Sequence, residues 1–296
     1  MKRLFLIFNP KAGRADFAKN LPNVIKLFSR ADYMVTVYPT SGSGDAERQI
    51  QEHAPEFDLI VCSGGDGIMN EAVNAYMKSE SPPPLAYIPS GTTNDFAISL
   101  GMPLQIMKAA KAILNGQPRL IDAGKFGSRF FTYVAAFGQF TDVPYITDQN
   151  AKNAFGRMAY LIEGAKHIVN ITEIECTVDI DGESLSGKFL IGIITNSKSV
   201  GGFKVQSNGT AAIDDGLFEV LLIRRPNTLS EHSELMAILT NNMTAATEIV
   251  VQRNAKRVVF KSKKPCSWTL DGEYGGRHTD VVIENLPRAL NIIVPQ

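Results

Sequence analysis

Two kinds of hydrophobic pattern alternate along the first third of the chain. Leu4–Phe8 is a short continuous apolar run, the pattern of a strand buried on both faces, and the helix-type stretch Asp16–Arg30 follows it. Tyr33–Tyr38 is β-branched and aromatic, and Gly44–His53 has helical character. Asp58–Cys62 predicts a third strand, leading into a helix that runs to Lys78. After the stiff connector "SPPPL", Leu85–Ile88 predicts a fourth strand, and Leu104–Leu114 a helix stopped at Asn115-Gly116. Strands separated by helix-length segments imply βαβ units and a parallel sheet covered on both faces.

After Leu120 the period changes. "IECTVDIDGESLSGKFLIGIIT" reads as strand, turn, strand, with Asp181-Gly182 in the hairpin turn. "LFEVLLIRR", "TEIVVQRN", "KRVVFKS" and "CSWTLDGEY" predict further short strands, interrupted by helical segments at Phe155–Val169 and Ser230–Asn242. The expected fold is therefore an α/β N-terminal domain with a parallel sheet, residues 1–123, followed by a C-terminal antiparallel β-sandwich, residues 124–287. The aromatic-rich run Phe130–Phe140 and the apolar stretch "MAYLIEGAKHIV" read first as buried structure.

Composition narrows the function more than the fold. Thirty basic and thirty acidic side chains balance, so no global field recruits nucleic acid, although a local basic patch for phosphates remains compatible. Three scattered cysteines, Cys62, Cys176 and Cys266, lack metal-ligand spacing and suit a reducing, cytoplasmic setting. The apolar run near the N-terminus ends in Asn9-Pro10, too short for a signal peptide or a membrane span. The histidines are dispersed, and "GESLSGKF" has Phe189 where a P-loop needs a metal-binding hydroxyl.

Candidate chemistry sits at the carboxyl ends of the predicted strands. The stretch "CSGGDGIMNEAVNAY" places Gly64-Gly65-Asp66-Gly67 between a strand and a helix, where glycines let main-chain N–H groups approach a phosphate. Asn9-Pro10-Lys11-Ala12-Gly13-Arg14 follows the first strand, "YPTSGSGDAE" the second, and Ser90-Gly91-Thr92-Thr93-Asn94-Asp95-Phe96 the fourth. In a parallel sheet these loops share one edge, where ligands bind. Lys11 and Arg14 bring positive charge; Asp66 and Asp95 beside a polyphosphate would call for a hard cation such as Mg²⁺. That combination suits phosphoryl transfer from a nucleotide.

"NPKAG", "SGGDGIMNEAVN", "PSGTTNDFA", "DDGLFEV" and "LDGE", in that order, closely resemble the bacterial diacylglycerol kinase/lipid kinase family, to which sphingosine and ceramide kinases are similar through their catalytic domain. The resemblance spans essentially the whole chain. It implies a phosphofructokinase-like N-terminal domain and a C-terminal β-sandwich whose last segment, here 288–296 ("ALNIIVPQ" within it), returns to the first domain. It implies an ATP- and Mg²⁺-dependent enzyme that phosphorylates a lipid hydroxyl, diacylglycerol or a related lipid, at the membrane surface without spanning it. By motif, nucleotide contacts fall on Asn9, Pro10, Lys11, Ala12, Gly13, Thr40, Gly65, Asp66, Gly67, Ile68, Met69, Asn70, Glu71 and Thr92. Glu273 would accept the proton of the substrate hydroxyl, with Asp66 and Asp95 close to it; Asp215, with main-chain carbonyls of Ala212 and Leu217, would form a second metal site.

Departures from the family pattern are Ile68 in place of a threonine, Thr210 in place of a residue often acidic, and a less glycine-rich loop at Gly201–Phe203. Two other readings stay open: an NAD kinase-like enzyme, which shares "GGDG", and a catalytically silent lipid- or nucleotide-binding regulator. The expected setting is cytoplasmic with transient membrane association. Which lipid is used is not legible, and a homodimer is compatible with the sequence.

Overall fold

The computed structural model describes residues 1–13, 16–138, 173–197, 199–200, 203–204, 212–228, 230–231, 234 and 249–296. Arg14, Thr210, Gly201, the expected helix at Phe155–Val169, most of that at Ser230–Asn242, and the end of the Phe130–Phe140 run lie outside the described residues. Two compact units account for the chain: Met1–Ile121 with Arg288–Gln296, and Asp122–Pro287.

In the first unit β1 (Lys2–Phe8), α1 (Asp16–Arg30), β2 (Tyr33–Pro39), α2 (Asp45–His53), β3 (Leu59–Gly64), α3 (Asp66–Lys78) and β4 (Leu85–Pro89) alternate, followed by α4 (Asp95–Ser99) and α5 (Ile106–Asn115). β1 pairs in parallel with β2, from Lys2↔Tyr33 to Phe8↔Pro39, and on its other side with β3, from Leu4↔Leu59 to Phe8↔Ser63. β4 continues beside β3, and Ile292 of the last strand lies parallel to Leu85 beyond it. Every residue of β3 and β4 is buried, which is why their sequences are continuous apolar runs rather than alternating ones. β1 thus has β2 on one side and β3 on the other. The strand order reverses between β1 and β3, so a crevice opens beyond their carboxyl ends.

The second unit is antiparallel. It contains the end of β5 (Gln117–Phe126), then β6 (Arg129–Phe131), β7 (Val134–Gly138), β8 (Ile174–Ile180), β9 (Glu183–Thr195), short β10 (Ser199–Val200) and β11 (Phe203–Lys204), β12 (Phe218–Arg224), β13 (Val250–Ala255), β14 (Arg257–Leu270) and the first part of β15 (Glu273–Val294). β13, β12 and β9 are neighbours, and β9 and β14 flank both β7 and β8. Gly138 of β7 pairs with Ile191 and Ile174 of β8 with Phe189, so the two short strands abut end to end and read as one interrupted strand. Asp181 and Gly182, at φ 50° and 94°, make the tight turn between β8 and β9.

"KRVVFKS" and the first part of "CSWTLDGEY", expected as separate strands, are two halves of β14, and "DGEY" makes the turn into β15. Their pairing with β15 shifts register between Lys261 and Cys266. Pro265 has no N–H to give the ladder, so the strand bulges there and then resumes. Trp268, fully buried, centres the core of this unit: its ring lies 4.9 Å from Phe126, 4.9 Å from Phe137 and 5.1 Å from Phe260.

One buried acid stands apart from this apolar packing. Glu219 of β12 is 4% exposed, neither carboxylate oxygen has a hydrogen-bond partner on another described residue, and burial pushes its pKa up to about 7. Because a glutamate in the unfolded chain ionises near 4.5, the native state loses stability as pH rises from 4.5 to about 7. The loss is on the order of 3 kcal/mol once both states are ionised. Glu219→Gln should therefore unfold at a higher temperature than wild type at pH 8 and at nearly the same temperature at pH 4.5. Equal shifts at both values would refute this account.

Candidate active site

Three loops of the first unit meet beyond β1, β3 and β4. Asn9 N–H donates to the carbonyl of Ser63 at 2.9 Å, and Ser90 N–H to that of Gly64 at 2.8 Å. The hydroxyls of Ser63 and Ser90 lie 3.2 Å apart, and the Tyr87 hydroxyl donates to Gly64 O at 3.1 Å. Two glycines are required by this closeness. A Cβ at Gly13 (φ +57°) would stand 2.4 Å from Ser90 O, and one at Gly91 would stand 2.4 Å from the Cα of Gly65. No flexible side chain could move aside, because backbone faces backbone.

Within the first loop Asn9 Oδ1 accepts from Lys11 N–H at 2.9 Å, an Asx turn that leaves the Lys11 side chain exposed. Thr40 is tied to the end of β1, its N–H and hydroxyl both reaching Phe8 O, at 2.9 and 3.3 Å. Beside it, Asp45 accepts from the N–H and hydroxyl of Ser41, both at 2.7 Å, and these bonds hold its carboxyl down to about 2. Gly65, extended at φ −91°, is the N-cap of α3 and itself offers no side chain to the first-turn N–H groups. Ile68, Met69 and Asn70 bury their side chains, so a ligand at this helix start would meet their backbone only.

Asp66 and Asp95, in the loops after β3 and β4, differ in role. Asp66 is half-buried, and its carboxylate accepts from the N–H groups of Asp95 and Phe96, both at 3.3 Å, so it joins the start of α3 to the start of α4. Asp95 is 2% exposed. Before it Asn94 takes the left-handed conformation (φ 55°) and closes its own loop: its Oδ1 accepts from Gly91 N–H at 3.0 Å, and its Nδ2 donates to Gly91 O at 2.9 Å. The Tyr87 hydroxyl is pushed well above its usual range by burial, with the charge of Asp66 adding to it. A crevice with a helix start capped by glycine, a nearby cation and two acids can hold a polyphosphate and its counter-cation.

The remaining sequence-derived candidates lie in the second unit. Asp271 (φ 49°) and Gly272 (φ 79°) form the turn between β14 and β15, and Glu273 is the first residue of β15, half-buried and paired with Leu270. Asp215 is exposed in the turn before β12, where its Oδ1 accepts from Leu217 N–H at 3.0 Å. Ala212 begins this segment, and fully buried Asp122 fastens it, Oδ2 to Gly216 N–H at 2.6 Å. Among the described residues no three His, Cys, Asp or Glu side chains gather as metal ligands. A cation at Asp215 would thus need main-chain carbonyls, an all-oxygen set that suits a hard ion.

Comparison with known proteins decides the family. Residues 3–126 match the model of the diacylglycerol kinase catalytic domain, and residues 136–294 match the YegS C-terminal NAD kinase beta sandwich-like domain. A diacylglycerol kinase of Bacillus subtilis is 33% identical over 298 residues, covering 100% of this chain and 97% of its own. The chain belongs to the bacterial diacylglycerol kinase family. A second member, from Staphylococcus carnosus, is 32% identical over 93% of this chain and 90% of its own. The solved structure of a Bacillus anthracis chain assigned to the diacylglycerol kinases superposes with a TM-score of 0.88 at 25% identity, covering 99% of this chain and 95% of that one. The family fold is the one expected: an α/β domain with β-α alternation, then a β-rich NAD kinase-like sandwich. Membership of a kinase family implies ATP as the phosphate donor.

Sequence reasoning missed the structural part played by two acids, one in each unit. Glu71, grouped with the nucleotide contacts, spends its carboxylate on the first turn of α2, accepting from Gly44 N–H at 2.8 Å and Ala46 N–H at 3.0 Å. Burial raises its pKa and these bonds oppose the rise. It supports the hydroxyl-rich loop after β2 from the side. Asp271, the first letter of "DGE", is 2% exposed and accepts from Thr132 N–H (2.7 Å), the Thr132 hydroxyl (2.9 Å), Tyr133 N–H (2.9 Å) and Val134 N–H (3.1 Å). It is the anchor of the hairpin that carries Glu273. Asp271→Ala would strand three buried N–H groups, so an unfolding temperature lower by about 8 °C or more is expected. A drop under about 2 °C in a calorimetric scan would show that the hairpin is held some other way.

Proposed function

We propose that this chain transfers the γ-phosphoryl group of ATP to the free hydroxyl of diacylglycerol. The observation that carries this reading is the convergence of the loops after β1, β3 and β4, in which Gly13 and Gly91 allow backbones to approach where any side chain would collide. Such a cradle, at the strand-order reversal, suits a triphosphate tail. In this reading the α3 N-terminus and the Asn9–Gly13 loop bind the phosphates, with Lys11 lending charge, and Thr40 and Thr92 lie along the nucleotide. Arg14 belongs to the same set, outside the described residues.

Asp66 and Asp95 organise the reacting end. Asp66, bonded to the start of α4, sets the spacing of the two loops, and buried Asp95 supplies a second acid from that helix. Glu273 takes the proton from the lipid hydroxyl as its oxygen bonds to phosphorus and the bond to the ADP oxygen breaks. A Mg²⁺ ion held by Asp66 and Asp95 would offset the charge gathering on the phosphate oxygens. A structural Mg²⁺ at Asp215, Ala212 O and Leu217 O would fix the turn that Asp122 already fastens.

The lipid is reached at a membrane surface by peripheral, transient association from the cytoplasm; among the described residues no helix is long and apolar enough to cross a membrane. Labelled ATP with mixed micelles containing diacylglycerol should yield labelled phosphatidic acid. Labelled NADP with NAD as acceptor, or nucleotide binding without turnover on any lipid of a broad panel, would overturn the reading.

A further inference from the structure

A cavity of about 450 Å³ opens in the second unit, where the start of β8, the middle of β9 and the end of β12 come together. Its lining includes three cations, Lys188, Arg224 and Arg225, and two acids, Glu173 and Glu231. Both acids are already engaged. Glu173 Oε2 accepts from Arg225 Nη1 at 2.7 Å while its Oε1 accepts from Lys188. The pair of cations holds the Glu173 carboxyl below its usual range. Glu231 Oε2 accepts from the N–H groups of Asn227, at 2.5 Å, and Thr228, at 3.1 Å, and Thr228 Oγ1 accepts from Glu231 N–H in return. That reciprocal pair is a helix-starting capping box, a use that leaves the carboxylate committed to the backbone.

Among the described residues, Arg224 has no such partner. Its guanidinium lies over the ring of Phe189 at 5.3 Å and makes no ion pair among the described residues. A Cβ at Gly187, also in the lining, would come within 3.1 Å of its Nη1, so the glycine leaves that edge of the guanidinium uncovered. A half-buried arginine stacked on an aromatic face is oriented in advance, and its planar donors match the oxygens of a phosphate. Lys188 and Arg225 keep donors in excess of those given to Glu173. With one cation more than its acids, the cavity is balanced by a single negative charge, and its volume lies in the range of small-molecule sites.

We infer that this cavity is a second binding site, for a singly charged phosphate group gripped by Arg224 with Lys188 and Arg225, on residues that serve no part of the proposed phosphoryl transfer. The phosphate could arrive on a soluble molecule or as the phosphodiester of a lipid headgroup, and the two sources are separable. Titration calorimetry with inorganic phosphate, on full-length protein whose nucleotide loops are filled with a non-hydrolysable ATP analogue, reads the first. Co-sedimentation with phosphatidylglycerol vesicles, against phosphatidylcholine vesicles, reads the second. Arg224→Ala should weaken whichever binding occurs by about tenfold or more. Lys264→Ala, an exposed cation elsewhere on the same unit, should leave it unchanged. If Arg224→Ala proves unfolded by circular dichroism, Arg224→Lys keeps the charge but loses the planar fork, and should show a smaller loss in the same assay. Dependence of phosphate binding on Arg224 supports a soluble ligand, and dependence of vesicle binding supports a headgroup. The inference is overturned if neither binding responds to the Arg224 variants.

Discussion

Replacing Asp66 by Asn is expected to lower turnover on diacylglycerol by about three orders of magnitude, with far-UV circular dichroism unchanged. The carboxylate has two jobs in the proposed mechanism, and the amide does each badly. It receives two N–H groups from the start of α4 at 3.3 Å. An amide oxygen replaces one of those acceptors, while the amide nitrogen confronts the other N–H donor to donor. It also carries a negative charge that would face the metal and the reacting phosphate, and asparagine carries none. A thousandfold loss corresponds to about 4 kcal/mol of transition-state stabilisation, within the range seen when one preorganised electrostatic group is removed. Because Asp66 is half-buried and the sheet beneath it is intact, the fold should persist. Turnover within tenfold of wild type would remove Asp66 from the reaction.

Glu273→Gln should reduce kcat by about a hundredfold to ten-thousandfold, the contribution of a positioned general base, with little change in KM for ATP. Glutamine matches glutamate in size and keeps the Leu270↔Glu273 pairing that closes the hairpin. The main structural constraint there, four donors converging on Asp271, is untouched. Loss of kcat without loss of unfolding temperature therefore separates proton transfer from hairpin stability. Glu273→Gln and Asp271→Ala should differ in that respect, the second losing thermal stability and the first not. If Glu273→Gln retains kcat within a factor of about five, the proton leaves by another route.

The α/β unit was legible because its signals are local. Apolar runs marked β1, β3 and β4, and glycines marked the loops after them; strand ends came within a residue or two of those observed. The meeting of the loops followed from parallel topology alone. What escaped notice depends on partners far apart in sequence. Asp271 and Thr132, Glu71 and Gly44, Asp122 and Gly216 look in isolation like polar residues in turns, and only the folded register brings each carboxylate to its donors. The Asn94 loop closure likewise escaped notice, because a left-handed asparagine has no sequence mark of its own. In the second unit, strand lengths were underread wherever a proline or a bulge broke the period, as in β14.

β7 and β8 have a consequence for how such a chain can vary over evolutionary time. Gly138 and Ile174 are fixed on the same partner strand, opposite Ile191 and Phe189, two positions apart. A strand rises about 3.4 Å per residue, so the chain leaves and re-enters the framework at points separated by about 7 Å. Whatever joins such closely set posts can lengthen, shorten or change composition without shifting the ladder on either side, because the cost of closing a longer loop grows only slowly. The interrupted strand is a socket from which the chain can depart and to which it can return without disturbing the framework.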